Sequence, residues 1–244
     1  SPHLGFIVLG FTISLFISTL LGLLFIRNYL NSKAVFSKEL YQSLIRYSLP
    51  LFFVSIGFLL MTEVDVIILG ILEDDQEVGI YSVAKQITSK IPHIAIAISM
   101  GTMPALTHIH KENKEAMEAL FMKLLRINAF IFGGIALIII SSAQIFLPLF
   151  FGPEYLESST VLKILSIYML FFSFSVFFSR FLDFQGLANK RARNLTITMF
   201  LNVVLNFLFI PNMGAQGAAW ATTLSFFPYI VLNGLEIRSF FRNI

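Results

Sequence analysis

Seven continuously apolar stretches run through the chain, near residues 5–26, 47–72, 79–105, 126–148, 161–184, 194–211 and 215–236. About 20 helical residues cross a hydrocarbon core of ~30 Å, so each stretch reads as a transmembrane helix, the sixth being the shortest. The runs are unbroken and do not alternate in ten-residue segments, which selects helices over a β-barrel. The pattern predicts an all-α integral membrane protein of about seven spans.

The connections between the runs differ in sign. One set holds Arg27, Lys33, Lys38 and Arg46, then Lys111, Lys114, Lys123 and Arg126, then Arg180, Lys190, Arg191 and Arg193, and finally Arg238 and Arg242, fourteen of the seventeen basic residues. The opposite set has no Lys or Arg but carries Glu73, Asp74, Asp75, Glu77, Glu154 and Glu157. Lys and Arg in short loops stay on the cytoplasmic side. The chain is therefore expected to enter from outside and to end in the cytoplasm, as a multi-pass protein of the cell membrane.

Composition agrees with lipid as the solvent. Hydrophobic residues make up 57% and charged residues 13% of the chain, against roughly 45–50% and ~25% in soluble domains. The net charge of +3 comes from basic residues clustered between apolar runs, without the basic stripes or stacking platforms of a nucleic-acid surface, so no nucleic-acid partner is expected. With no cysteine there is no disulfide, thiolate metal site or cysteine nucleophile. No P-loop, H-E-x-x-H or G-x-S-x-G motif occurs, and no loop exceeds about twenty residues. Neither an enzyme, a cofactor nor a metal site is expected. The start at Ser1-Pro2-His3, running at once into an apolar stretch without a basic n-region, reads as a chain that begins partway through a longer protein.

Three basic residues fall outside the cytoplasmic set: Lys85, Lys90 and Lys163. A charge at the centre of a span costs about 2.5–3.5 kcal/mol on an isolated helix, so each needs a partner or a purpose. On the third span Ser82, Lys85, Gln86, Ser89, Lys90 and His93 share an arc of about 140°, opposite Val83, Ile87, Ile91, Ile94 and Ile98. On the second span, Asp65 matches Lys85 at a depth of roughly 10 Å, and Glu63 matches Lys90 at roughly 15 Å. Two readings stand. The charges form structural ion pairs between antiparallel helices, or at least one lysine faces a water-filled cavity and meets an anionic substrate group.

Elsewhere, Arg180 and Asp183 are spaced to pair along one helix near the cytoplasmic end. Asn194, Thr198, Asn202 and Asn206 form a polar stripe suited to bonding neighbouring helices or to contacting sugar hydroxyls. Gly214, Gly217, Ala218, Ala221 and Ser225 form a close-packing seam, and Pro92 and Pro104 loosen the third span. His108 and His110 sit in a basic loop, solvated more readily than metal-bound.

The order of short motifs carries a resemblance. Tyr47-Ser-Leu-Pro50, Asp65-Val-Ile-Ile-Leu-Gly70, Val78-Gly-Ile-Tyr-Ser-Val-Ala84, Phe151-Gly-Pro-Glu-Tyr155, Val161-Leu-Lys-Ile-Leu165 and Ile210-Pro-Asn-Met-Gly-Ala-Gln-Gly-Ala-Ala219 together resemble the polysaccharide-export flippases of the Wzx type, which belong to the MATE-like superfamily. The likeness covers about residues 40 to 236. It implies two six-helix bundles around a central cavity. Residues 1–40 would be the last helix of the first bundle with its linker, and residues 41–244 the second bundle. It further implies transport of a polyprenyl-diphosphate-linked oligosaccharide to the outer leaflet, with membrane lipids, the N-terminal half of the same protein, and a polysaccharide polymerase or glycosyltransferases as partners.

On this reading the candidate substrate-binding residues are Lys85, Lys90, Gln86, Arg180 and Asn202, with Glu63, Asp65 and Asp183 as ion-coupling or ion-pair candidates. A MATE-type cation exporter, which would use cavity carboxylates such as Glu63 and Asp65, is the competing expectation. A membrane enzyme acting on lipid-linked sugars is a more remote one.

Overall fold

The computed structural model describes residues 2–30, 37–110 and 114–243. Among them the elements are helices: α1 (Pro2–Leu30), α2 (Lys38–Leu72), α3 (Asp75–Lys90), α4 (His93–His110), α5 (Lys114–Phe151), α6 (Ser158–Phe184) and α7 (Ala188–Asn243), with a short 3-10 turn at Pro153–Tyr155. Stretches within three of them, Glu115–Phe151, Ser158–Phe184 and Ala188–Arg242, are long and apolar enough to cross a bilayer, and α1 holds a shorter apolar run, Leu9–Phe25. These helices define an all-helical, multi-pass membrane protein.

The chain divides into two compact units, Ser1–Gly57 and Phe58–Ile244. In the first, α1 exposes large apolar side chains such as Phe11, Phe16 and Phe25, a surface suited to hydrocarbon. The second unit contains the features that follow.

The stretch expected as one span over residues 79–105 is two helices. The helix breaks at Ile91-Pro92 and restarts at His93. Proline supplies no N–H for the carbonyl four residues back, and its ring crowds that carbonyl. Two bonds restart the turn beyond it, from Ile94 N–H to the Ile91 carbonyl (3.1 Å) and from Ile96 N–H to the Pro92 carbonyl (3.1 Å).

The sixth and seventh stretches, by contrast, follow one another with almost no loop. Only Gly214 leaves helical geometry, at φ 52° and ψ −133°, a backbone that side chains with a Cβ resist. The chain doubles back there. Rungs between the two limbs of α7 prove the reversal: Lys190 Nζ to Glu236 at 2.6 Å, Asn194 Nδ2 to Asn233 Oδ1 at 2.9 Å, and Asn202 Nδ2 to Ser225 Oγ at 3.2 Å. Beside the turn, Gly217 packs so tightly that an added Cβ would lie 2.5 Å from the Phe209 carbonyl oxygen. The small-residue seam read from the sequence is buried at Gly217, Ala218 and Ala221.

Two apolar cores occupy opposite ends of this unit. One joins Leu69 of α2, Tyr81 of α3, Leu147 of α5, Leu162 of α6 and Ala218 of α7. The other joins Met103 of α4, Phe121 of α5, Phe181 of α6 and Ile237 of α7. The first core lies at the end where the acidic connections cluster. There the Glu77 carboxylate accepts a 2.6 Å bond from the Ala215 N–H and so caps the second limb of α7, while Asp74 caps α3 through the N–H groups of Gln76 and Glu77. The second core lies at the basic end. Between the cores the bundle is neither apolar nor closed.

Candidate functional site

The waist between the two cores holds a cavity of about 550 Å³, within the range of about 300–1,000 Å³ typical of ligand pockets. α2, α3, α4, α6 and both limbs of α7 contribute side chains to it. One side of the wall is charged, and the other is aromatic, amide and hydroxyl.

The charged side is built on Asp65, which is 4% exposed. Its carboxylate accepts from four donors: the Val66 N–H at 2.8 Å, Lys85 Nζ at 2.7 Å, Thr222 Oγ1 at 3.2 Å and the Tyr81 hydroxyl. Tyr81 and Lys85 are four residues apart on α3, so they stand one above the other on the same face and reach one carboxylate. Thr222 brings the second limb of α7 into the same cluster.

Lys85 is saturated in turn. An ammonium has three N–H donors, and three acceptors surround it: the Thr62 carbonyl at 2.6 Å, Glu63 Oε2 at 3.1 Å and Asp65 Oδ1 at 2.7 Å. The depth match of Asp65 with Lys85 is thus met by an ion pair. That of Glu63 with Lys90 is not, because Glu63 reaches Lys85 instead. Lys90 lines the cavity, and among the described residues no carboxylate lies within ion-pair distance of it. It is one residue from the helix break, and its carbonyl bonds His93 Nδ1 at 3.0 Å, so Lys90 and His93 flank the Ile91-Pro92 interruption on the cavity wall.

On the other side, Asn202 of α7 joins the wall with its amide oriented by Ser225 (3.2 Å), Thr222 (3.4 Å) and Asn206, which donates to its Oδ1 at 3.0 Å. Tyr168 and Phe172 of α6 and Phe226 of α7 supply rings.

Of the residues picked out by sequence, Lys85, Lys90, Asn202, Glu63 and Asp65 meet in this cavity. Gln86 is exposed and outside its lining, and Arg180 and Asp183 are remote from it. The expected Arg180–Asp183 pair does not form. Asp183 pairs with Arg191 Nε at 2.7 Å, because Gly186 (φ 74°) closes a Schellman turn, with Leu187 N–H on the Leu182 carbonyl at 2.8 Å, that swings the start of α7 back over the end of α6. Sequence reasoning missed Tyr81, Tyr168 and Thr222, and took Ser225 for packing alone. Tyr81 had a signal, its four-residue step to Lys85. Tyr168, a tyrosine in an apolar run, had none.

A multi-pass helical membrane protein with a cavity carrying charged and polar side chains is the class these features define. Residues 4–110 match the family model described as polysaccharide biosynthesis protein. The chain is 31% identical over 206 residues to a probable low-salt glycan biosynthesis flippase, Agl15, of Haloferax volcanii, covering 82% of this chain and 42% of that protein. It is 28% identical over 212 residues to the capsular polysaccharide biosynthesis protein CapF of Staphylococcus aureus, covering 85% and 53%. A membrane protein of Methanocaldococcus jannaschii is 24% identical over 201 residues, covering 82% and 40%. The chain spans about half the length of the curated relatives it matches. No solved structure matches it. The chain is thus similar to polysaccharide-biosynthesis and glycan-flippase membrane proteins, the likeness its motifs led one to expect.

Proposed function

We propose that this chain is part of a Wzx-type flippase that carries a polyprenyl-diphosphate-linked oligosaccharide from the cytoplasmic to the outer leaflet. The observation that carries the reading is the cavity at the waist of the bundle, a chamber of headgroup size whose largely apolar wall carries an ammonium, Lys90, with no ion-pair partner among the described residues. A diphosphate entering hydrocarbon needs a cation, and a lysine supplies a compact point charge without demanding bidentate geometry. Lys85 lies beside it but is already neutralised, so it shapes the chamber and Lys90 meets the anion.

In the same reading, residues 41–244 are the second six-helix bundle of a MATE-like transporter, entered by about seven spans in all, with residues 1–40 supplying the preceding helix and linker. The acidic end faces outside and the C-terminus lies in the cytoplasm. The N-terminal half of the same protein completes the transport path. A polysaccharide polymerase or glycosyltransferases work beside it, and the chain itself performs no bond chemistry.

A cation exporter needs carboxylates open to the cavity. Asp65, the buried carboxylate, is saturated by four donors, which weighs against that alternative, while Glu63, on the cavity wall, keeps one oxygen free among the described residues.

The test is transport by the full-length protein reconstituted in liposomes, using a fluorescent lipid-diphosphate glycan and an impermeant quencher to follow its leaflet. Protein-dependent loss of quenching protection is expected, with the glycan chemically unchanged. Unaltered leaflet distribution in active preparations, or a changed glycan, would sink the proposal.

A further inference from the structure

Resting on that reading and deepening it, we infer that the aromatic side of the cavity, Tyr168 and Phe172 of α6 backed by Phe226 of α7, is a sugar-ring subsite that holds the first saccharide of the glycan beside the diphosphate.

The geometry points to a saccharide in three ways. First, the rings are held in place: Tyr168 meets Phe226 edge-on, with centroids 5.0 Å apart and planes at 89°, while Phe172 lies 5.8 Å from Tyr168 and 5.9 Å from Phe226. Phe226 is buried, whereas Tyr168 and Phe172 stay partly exposed on the cavity wall. A fixed aromatic surface receives the apolar C–H face of a pyranose with little ordering cost. Second, the wall is not purely apolar. The Tyr168 hydroxyl has no hydrogen-bond partner among the described residues, and Asn202 and Ser225 line the same chamber. A hydroxyl-rimmed ring satisfies the Tyr168 hydroxyl; a polyprenyl tail leaves it dry. Third, Tyr168 packs against the core at the acidic end and Phe172 against the core at the basic end. The subsite therefore sits at the waist, at the same level as Lys90, and a chamber of about 550 Å³ admits a headgroup and its adjoining sugar but not a long glycan.

The subsite is tested by binding to the full-length protein in nanodiscs, with two probes: polyprenyl diphosphate, and the same lipid bearing a disaccharide. The glycosylated lipid should bind the unaltered protein more tightly. Tyr168→Phe, which removes the hydroxyl and keeps the ring, and Phe172→Leu, which removes a ring, should each weaken it by about tenfold, roughly the worth of one hydrogen bond and of one aromatic contact, and leave the bare lipid diphosphate unchanged. Lys90→Ala should weaken both lipids. Equal weakening of both lipids by the two α6 variants is the result expected if the wall seats the polyprenyl tail, and it would overturn the subsite. So would no weakening of either. If the unaltered protein binds neither lipid, the flippase reading itself fails, an outcome distinct from loss of discrimination between the two.

Discussion

The ammonium of Lys85 lies 2.7 Å from the carboxylate of Asp65, and the pair bolts α3 to α2 at the wall of the cavity. The Tyr81 hydroxyl and Thr222 complete the carboxylate's shell, so the same cluster ties in the second limb of α7. Removing Lys85 leaves Asp65 buried without a counter-ion, whereas removing Asp65 leaves Lys85 still paired with Glu63 at 3.1 Å.

That arrangement sets the first prediction. Lys85→Ala should destabilise the protein by about 3–5 kcal/mol, Asp65→Ala by less because Glu63 still pairs Lys85, and the double variant by clearly less than the sum of the two. Thermal unfolding of the four proteins in nanodiscs measures the coupling. Additive losses would show that the pair does not act as a unit.

Lys90 should behave differently. Without an ion-pair partner among the described residues it has little to contribute to folding, so Lys90→Ala should shift stability by no more than about 0.5 kcal/mol. Transport of the lipid-linked glycan should fall, and Lys90→Glu should lower it further. Wild-type transport by Lys90→Glu would remove this residue from the substrate path.

At the acidic end, Gly214→Ala should cost about 1–3 kcal/mol from backbone strain alone. The added methyl would also meet the Glu77 carboxyl carbon at 2.8 Å, so it collides with the group that caps Ala215. Glu77→Ala, which loses the cap without the strain, should cost less than Gly214→Ala. Denaturation curves of the two variants give the order, and the reverse order would mean the turn is held by the cap and not by the glycine.

The proposed orientation predicts that a cysteine at Asp75 is labelled by an impermeant maleimide from outside intact cells, and one at Arg238 only after permeabilisation. Labelling of Asp75→Cys from the cytoplasmic side alone would invert the topology.

Much of this was legible in the sequence because lipid enforces simple rules. Apolar runs must be helices, so α5, α6 and the two limbs of α7 fall where the hydropathy placed them, while the run at 79–105 divides into α3 and α4; the polar arc on α3 marked Lys85 and Lys90, which both line the cavity. What failed was contact between elements. The register that puts Glu63 on Lys85 instead of Lys90 depends on how α2 slides along α3. The Asp183–Arg191 pair depends on the turn at Gly186, and helical spacing alone favoured Arg180. The break at Ile91-Pro92 was foreseen only as a loosening, since a proline in a span bends or interrupts it according to what its neighbours bond. Tyr168 and Thr222 gain meaning only once α6 and α7 face each other across the chamber.

The saturation of Lys85 reaches beyond packing, to electricity. Counting His93 as neutral, the charged residues lining the chamber are Glu63, Asp65, Lys85 and Lys90, so these side chains sum to zero. A chamber that offers no net countercharge lets an anionic cargo keep its own. On the reading proposed above, each passage then carries current, and an inside-negative membrane expels the cargo with about 2.3 kcal/mol per elementary charge for every 100 mV. The resting voltage of the cell becomes a driving force in its own right, set by a lysine that never touches the load.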